Sequence, residues 1–347
     1  MTIVNRLQRS GIRRLGTARA GFRYVNPAGK RIARTEHSRF ATLKLPPAWV
    51  RVAISPSHMA RVQAVGMDAA GRWQYVYHQA HVRRRAENKF ERMLEFGHAL
   101  PKLRRTVARD LRQPGLGKET VLACIVRVLS TCFLRPGSEE YADENGTFGL
   151  ATLRREHVAV SGSRVRFEFK GKAGKLQQRE LRDVRVARIV ARLLELPGRR
   201  VFKFEVDGTV IDVRRAHVNQ YLKDAMGQRF SAKDFRTWAG TLICACALRQ
   251  TGLAEGESAT ARRKKLVAAV KQTAANLGNT PAVCRASYIS PGVIESFQQG
   301  RLIDARVDSV EELVSRSDGA ALRRCEKALL ALLADPPGVR PARRAAA

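Results

Sequence analysis

Acidic residues are scarce in this chain. Its 347 residues carry 31 Asp and Glu against 64 Lys and Arg, a formal net charge of +33. Charge of one sign at that density repels itself, so the composition calls for a polyanionic partner. Carboxylates are too few around the basic clusters to build a two-metal nuclease site. Long hydrophobic runs are missing as well. The best candidate, 238–248, falls far short of the ~20 residues that cross a bilayer. The N-terminus shows no apolar core of a secretory signal. The six cysteines (Cys124, Cys132, Cys244, Cys246, Cys284 and Cys325) form no CxxC and no disulfide-like spacing, which points to a reducing compartment. The seven histidines include no HExxH and none pairs with cysteine at zinc spacing. A phosphate loop is lacking too. Residues 115–120 read Gly-Leu-Gly-Lys-Glu-Thr, but Arg112 stands where that motif needs its first glycine and Glu119 where it needs Ser or Thr. This stretch reads as a turn entering a helix. What is present is 44% hydrophobic residues, enough for ordinary cores. The expectation is a cytoplasmic protein that meets nucleic acid without metal, nucleotide cofactor or membrane.

The patterning predicts an α+β chain, with a small N-terminal antiparallel β domain and a larger, mainly helical domain. Eight arginines and Lys30 precede the first acid, Glu36, so residues 1–40 read as a loosely ordered basic arm. In 41–82, Val50, Val52 and Ile54 alternate with Arg51 and Ala53, turns follow near Ser55 and at 68–71, and Trp73 to Tyr77 is aromatic-rich. Residues 83–100 read as a connector and first helix, 101–334 as the helical domain, and 335–347 as a frayed tail. Helices are expected at 120–133, 183–196, 212–222, 231–248, 258–277 and 309–334, with Asp183, Asp212, Ser231, Ser258 and Ser309 as N-caps. One hairpin interrupts them. Val165, Phe167 and Phe169 share one strand face, Arg164, Arg166, Glu168 and Lys170 the other, and 171–174 turns the chain. Cys244 and Cys246 read as core residues.

Four segments supply what metal-free cleavage of a phosphodiester needs: a nucleophile, donors for the non-bridging oxygens and an acid for the departing oxygen. Arg135 precedes Pro136, where a helix gives way to a loop. Lys172 sits at the hairpin tip. Lys233 and Arg236 are three apart at a helix start, read as a cationic ridge, with Gly240 keeping that face low. Gly278, Thr280 and Pro281 mark a helix end followed by a helix start, with Asn279 in the turn and Tyr288 on the second helix. A straight helix would hold Asn279 and Tyr288 ~13 Å apart, so either a phosphate lies between them or the segment bends. Singly, each residue has a bland explanation as a solvated charge, a turn residue or a packed side chain.

In this order the segments resemble the type IB DNA topoisomerases, in the small form of bacteria and poxviruses. The resemblance rests on PPAWVRVAIS (46–55), GMDAAGRWQYVYH (66–78), LRPGSEEYADENGTFGLATLRREHV (134–158), FKGK (169–172), KDFRTW (233–238) and LGNTPAVCRASYI (277–289). It implies the helical catalytic domain shared with tyrosine recombinases. Tyr288 would attack the phosphodiester to form a 3′-phosphotyrosine, and Arg135, Arg236 and Asn279 would hold the non-bridging oxygens. Lys172 would protonate the 5′-oxygen. The strand would rotate and be religated, relaxing positive and negative supercoils without ATP. Gln74, Tyr75 and Tyr77 fall where the family's N-terminal domain touches DNA, with Arg72 and Lys233 as further contacts. The partner implied is double-stranded DNA, gripped by a monomeric clamp at the bacterial nucleoid.

The chain departs from the viral members at three places: Asn279 replaces a histidine, Ala173 an aspartate, and Pro136 follows the arginine. Two other readings stand beside this one. A tyrosine recombinase shares the fold and the nucleophile, but typically has HxxR where this chain has Lys233-x-x-Arg236. A DNA-packaging protein would explain the charge, but not the ordered set of residues.

Overall fold

A computed structural model describes residues 1–310 and 319–335 of the chain. The chain divides into two compact units, Met1–Phe90 and Glu91–Ala347. The fold class is the expected α+β.

The first unit is a five-stranded antiparallel sheet in the order β2-β1-β3-β4-β5. Its strands are β1 (Ile12–Thr17), β2 (Gly21–Val25), β3 (Val50–Ile54), β4 (Val62–Met67) and β5 (Trp73–Tyr77). Helix α1 (Ile3–Ser10) packs Val4 and Leu7 with Ala53, Val62 and Val65. Phe40 of α2 (His37–Thr42) packs in a second cluster with Ile12, Val52, Ile54 and Ala64. The first forty residues are therefore not a loose arm. Ile3, Val4 and Leu7 lie on one helical face between the arginines, and Thr2 caps that helix by accepting from Asn5 N at 3.2 Å. Arg14, one of the eight arginines of the expected arm, is buried. It stacks 4.2 Å over Phe22 and donates to the carbonyls of Pro46 and Trp49 at 3.0 and 2.7 Å. In β3 the expected alternation breaks at a bulge where Arg51 takes φ 51°, leaving Val50 exposed while Val52, Ala53 and Ile54 are all buried.

Helix α3 (Gln79–Asp110) covers the whole stretch 83–100, expected as a connector and first helix. The second unit is built around α4 (Lys118–Cys132) and α8 (Asp234–Thr251). Nearly every residue of α8 to Leu248 is buried, as in a helix enclosed on all sides. Between them come α5 (Glu139–Asn145), a three-stranded antiparallel sheet, α6 (Val184–Glu195) and α7 (Arg215–Met226). The sheet pairs β6 (Val158–Ser161), β7 (Arg164–Lys170) and β8 (Leu176–Arg182) in that order. Then follow α9 (Ala259–Leu277), α10 (Pro281–Ser287), α11 (Pro291–Gln298) and α12 (Gly319–Ala334).

Two of the expected caps fail. Asp212 ends a second hairpin, β9 (Lys203–Val206) with β10 (Thr209–Asp212), which turns through Asp207 and Gly208, both at positive φ. Helix α7 starts later, behind Arg214. Ser231 lies ahead of α8, which begins at Asp234. Asp183 and Ser258 do cap α6 and α9. Of the expected 309–334 helix, Val310, directly after Ser309, and the stretch from Gly319 onward are helical; 311–318 and the tail beyond Asp335 lie outside the described residues. All six cysteines are free and buried. Among the described residues, no helix is long and apolar enough to cross a membrane.

Candidate active site

Helix α4 ends where Phe133 adopts the left-handed conformation, φ 51° and ψ 30°, and returns its N–H to Leu129 O. That turn sets Arg135 at the head of the following loop. The loop is pinned by Leu150 N donating to Arg135 O and Ala151 N donating to Pro136 O, at 2.8 and 2.9 Å. Gly137 and Gly149 touch there through bare backbone. A Cβ on Gly149 would lie 2.4 Å from Gly137 Cα, so only glycine fits.

The start of α8 is fixed by Asp234, which accepts from Ser231 N and Oγ, both at 2.9 Å, and from Arg92 at 2.6 Å. Two residues on, Arg236 is 4% exposed. It donates Nη1 to Phe133 O and Nη2 to Leu277 O, both at 2.7 Å. The expected cationic ridge is thus absent: Lys233 is exposed at the helix start, while Arg236 turns inward. The spacing gave their common helical side, but Lys233 precedes the helix proper.

Helix α9 closes as the sequence predicts. Gly278 adopts φ 61°, its N–H and that of Asn279 return to Ala275 O and Ala274 O, Thr280 caps α10, and Pro281 opens it. The Asn279 Oδ1 accepts from Arg135 Nη2 at 2.5 Å. Its Nδ2 is buried without a partner, as is Arg236 Nε. Tyr288 ends α10 with its ring 5.3 Å from the Arg236 guanidinium carbon. Its phenol lies within electrostatic reach of both the Arg135 and Arg236 guanidiniums. The short helix α10 therefore brings both ends of the segment to the same guanidinium pair.

The seat of Tyr288 is the next turn of α8. A Cβ on Gly240 would lie 2.6 Å from Tyr288 O, so the nucleophile candidate's backbone rests directly on that glycine. Thr241 Oγ1 donates to Tyr288 O and accepts from Ser290 N, both at 3.1 Å. Sequence reasoning noticed the space at Gly240 but not what fills it, and Thr241 carried no signal.

Burial pushes both guanidiniums below their ordinary value, more strongly at Arg236, where Arg135 adds its charge and Tyr288 opposes the shift. Both remain cationic at neutral pH. Neither forms an ion pair with a carboxylate among the described residues. Two concentrated cations and two unpaired donors around one phenol make a pocket for a tetrahedral oxyanion. No group of side chains suited to a metal ion occurs among the described residues.

Lys172 is not part of this cluster. It is exposed at the β7–β8 tip, beside Ala173 at φ 62°, with no hydrogen bond or ion pair among the described residues. In the first unit, Arg72 and Gln74 both bind Asp68, at 2.9 Å each. Gln74 lies on the opposite face of β5 from Tyr75 and Tyr77, whose rings stand 6.3 Å apart. Tyr75 is 38% exposed, whereas Trp73 and Tyr77 pack toward α1.

Residues 79–305, which hold Arg135, Lys172, Arg236, Asn279 and Tyr288, match the family described as the eukaryotic DNA topoisomerase I catalytic core. Residues 21–68 match the bacterial DNA topoisomerase IB N-terminal domain. The chain is 31% identical over 270 residues to the DNA topoisomerase 1B of Acanthamoeba polyphaga mimivirus, covering 75% of this chain and 79% of that protein. With the DNA topoisomerase 1B of Vaccinia virus (strain Copenhagen) it shares 22% over 247 residues, 71% and 76% of the two chains. The DNA topoisomerase 1 of Rabbit fibroma virus (strain Kasza) gives 24% over 240 residues, 68% and 72%. With both units matched in sequence and the guanidinium pair closed on its tyrosine, this chain belongs to the type IB DNA topoisomerases, which are isomerases.

Proposed function

We propose that the enzyme relaxes positive and negative supercoils of double-stranded DNA by cutting and rejoining one strand through Tyr288. The observation that carries this reading is Tyr288 set against the buried Arg236 guanidinium, with Arg135 held on the neighbouring Asn279 and neither guanidinium having a carboxylate partner among the described residues. The Tyr288 oxygen attacks phosphorus and the bond to the 5′-oxygen breaks, leaving a 3′-phosphotyrosine and a 5′-hydroxyl. Arg135 and Arg236 bear the charge that grows on the non-bridging oxygens, and Asn279 Nδ2 and Arg236 Nε supply donors for them. Lys172 swings in from the hairpin tip and protonates the departing oxygen. The cut strand rotates, and the 5′-hydroxyl then reverses the attack. One phosphodiester is exchanged for another, so no ATP is consumed and no metal is required.

The N-terminal sheet binds the duplex around β5, through Arg72, Gln74, Tyr75 and Tyr77; Lys233 adds a phosphate contact. A monomer closed around DNA at the nucleoid is the working form. The test is relaxation of supercoiled plasmid in EDTA without ATP, comparing the wild type with Tyr288→Phe. Relaxation of both supercoil signs by the wild type alone supports the reading. Equal relaxation by both proteins removes Tyr288 from the role. DNA binding by both without relaxation favours a recombinase or a packaging protein.

A further inference from the structure

Strand β8 has an odd inward face. Gln177, Arg179 and Leu181 alternate toward the core, opposite Phe169, Phe167 and Val165 of β7. Its partner face is wholly apolar, so a glutamine and an arginine at two successive inward positions violate the pattern that holds a half-buried strand in place. Both side chains meet the end of α9. Arg179 donates Nη1 to Gln178 O at 2.7 Å and Nη2 to Asn276 O. Gln177 is 7% exposed and packs flat on Gly278, where a Cβ would come within 2.8 Å of its amide. Its Cγ lies equally close to the Cβ position of Gly171, the residue before Lys172.

The last carbonyls of a helix have no partner within it. Here Asn276 O and Leu277 O are taken by Arg179 and Arg236, so two guanidiniums clasp the chain just ahead of Asn279. Cations at a helix C-terminus are also favoured by its dipole. Arg179 has no carboxylate partner among the described residues, and its Nε is buried and unpaired. Its charge reaches Arg236, whose guanidinium it pushes down. A purely structural contact could be made by an uncharged donor. A third cation, partly buried and without a carboxylate partner, fits the anion that the neighbouring pair receives.

We propose that Arg179, seated beside Gln177, is a positioning residue that fixes the α9–α10 turn, and with it Asn279, for the phosphate in the cleavage step. The proposal rests on the role given to Asn279 above. Loss of Arg179 frees Asn276 O, lets the turn drift, and removes the Asn279 donor from the oxyanion without touching the nucleophile.

The experiment is a double-mutant cycle on the full chain, reading single-turnover cleavage of a duplex oligonucleotide together with DNA affinity. Arg179→Met is expected to slow cleavage about 10–100-fold and leave affinity within about 3-fold; in an Asn279→Ala background the same change costs less than about 3-fold. Arg179→Lys, which keeps the charge and one donor, recovers most of the rate. If the two penalties multiply, Arg179 acts independently of Asn279 and the proposal falls alone. If Asn279→Ala cleaves at the wild-type rate, the role of Asn279 fails first and takes the proposal with it. If Arg179→Met does not fold, Gln177→Ala carries the same cycle, and additive penalties there overturn the proposal as well.

Discussion

Asn279 has one half of its amide committed to Arg135 and the other half buried and open. A histidine at this place titrates near neutrality, whereas an amide does not. Single-turnover cleavage by the wild type is therefore expected to show no imidazole step between about pH 5.5 and 7.5, and Asn279→His to introduce one. A wild-type step in that window would mean another group governs the donor. Arg236→Ala is expected to slow cleavage by about 10²–10³-fold, as for loss of an oxyanion donor, with the loss seen in the chemical step under saturating protein. Lys172→Ala should cost about 10²–10⁴-fold, and a substrate with a sulfur at the scissile 5′ position should largely restore the rate. Absence of that rescue would remove Lys172 as the acid. At this scale the sequence was informative about identities and poor on contacts. Arg135, Arg236, Asn279 and Tyr288 were legible from their order, yet nothing in KxxR spacing said that Arg236 would be buried between two carbonyls. Thr241 and Arg179 belong to no motif, because their work is done on backbone atoms that any residue supplies.

Among the elements, helix ends divide the legible from the illegible. Gly278, Thr280 and Pro281 could be placed because each answers a local need of the backbone, the left-handed cap, the hydroxyl acceptor and the preset φ. Asp212 could not, since its fate was decided by pairing with Lys203 across a hairpin. The Asp207-Gly208 pair was the available sign of that turn. Gly278→Ala is expected to lower stability to urea unfolding by at least about 1 kcal/mol, because the left-handed conformation penalises a side chain and Gln177 occupies the space. A second prediction concerns His157 and His217. Each accepts the backbone N–H of the residue three before it through Nδ1, at 3.0 and 3.2 Å. Burial holds both imidazoles below the usual value; Arg154 adds to this at His157, where Glu156 opposes it, and Lys118 and Arg214 add at His217. The folded state thus prefers the neutral ring. The stabilisation is complete above about pH 6.5 and is lost as pH falls through the lowered folded values. The protection of the Arg154 and Arg214 amides, relative to intrinsic exchange at each pH, should fall selectively on acidification, and His217→Gln, which keeps an acceptor that does not titrate, should abolish the effect at Arg214. An equal loss of protection in that variant would assign the change elsewhere.

Across the whole molecule, net charge was the most visible property and the most misleading one for structure. It led to a loose arm where the chain builds two strands and two helices, because counting arginines hides the few apolar side chains that dock them. For binding, the same charge is a sound guide. DNA affinity measured from about 50 to 200 mM salt should fall with a log–log slope near −0.9 for each phosphate contacted, and a flat dependence would rule out an electrostatic grip.

Helix α8 carries Arg236 and, one turn later, the glycine and threonine on which Tyr288 rests. Adding or deleting one residue between Arg236 and Thr241 would rotate one relative to the other by about 100° and separate the cation from its tyrosine. Loops, tails and the tip of the hairpin can change length as lineages diverge, but this stretch can change only by substitution. In descendants of this gene, however far their sequences drift, the count from that arginine to that threonine is the ruler against which the rest can be aligned.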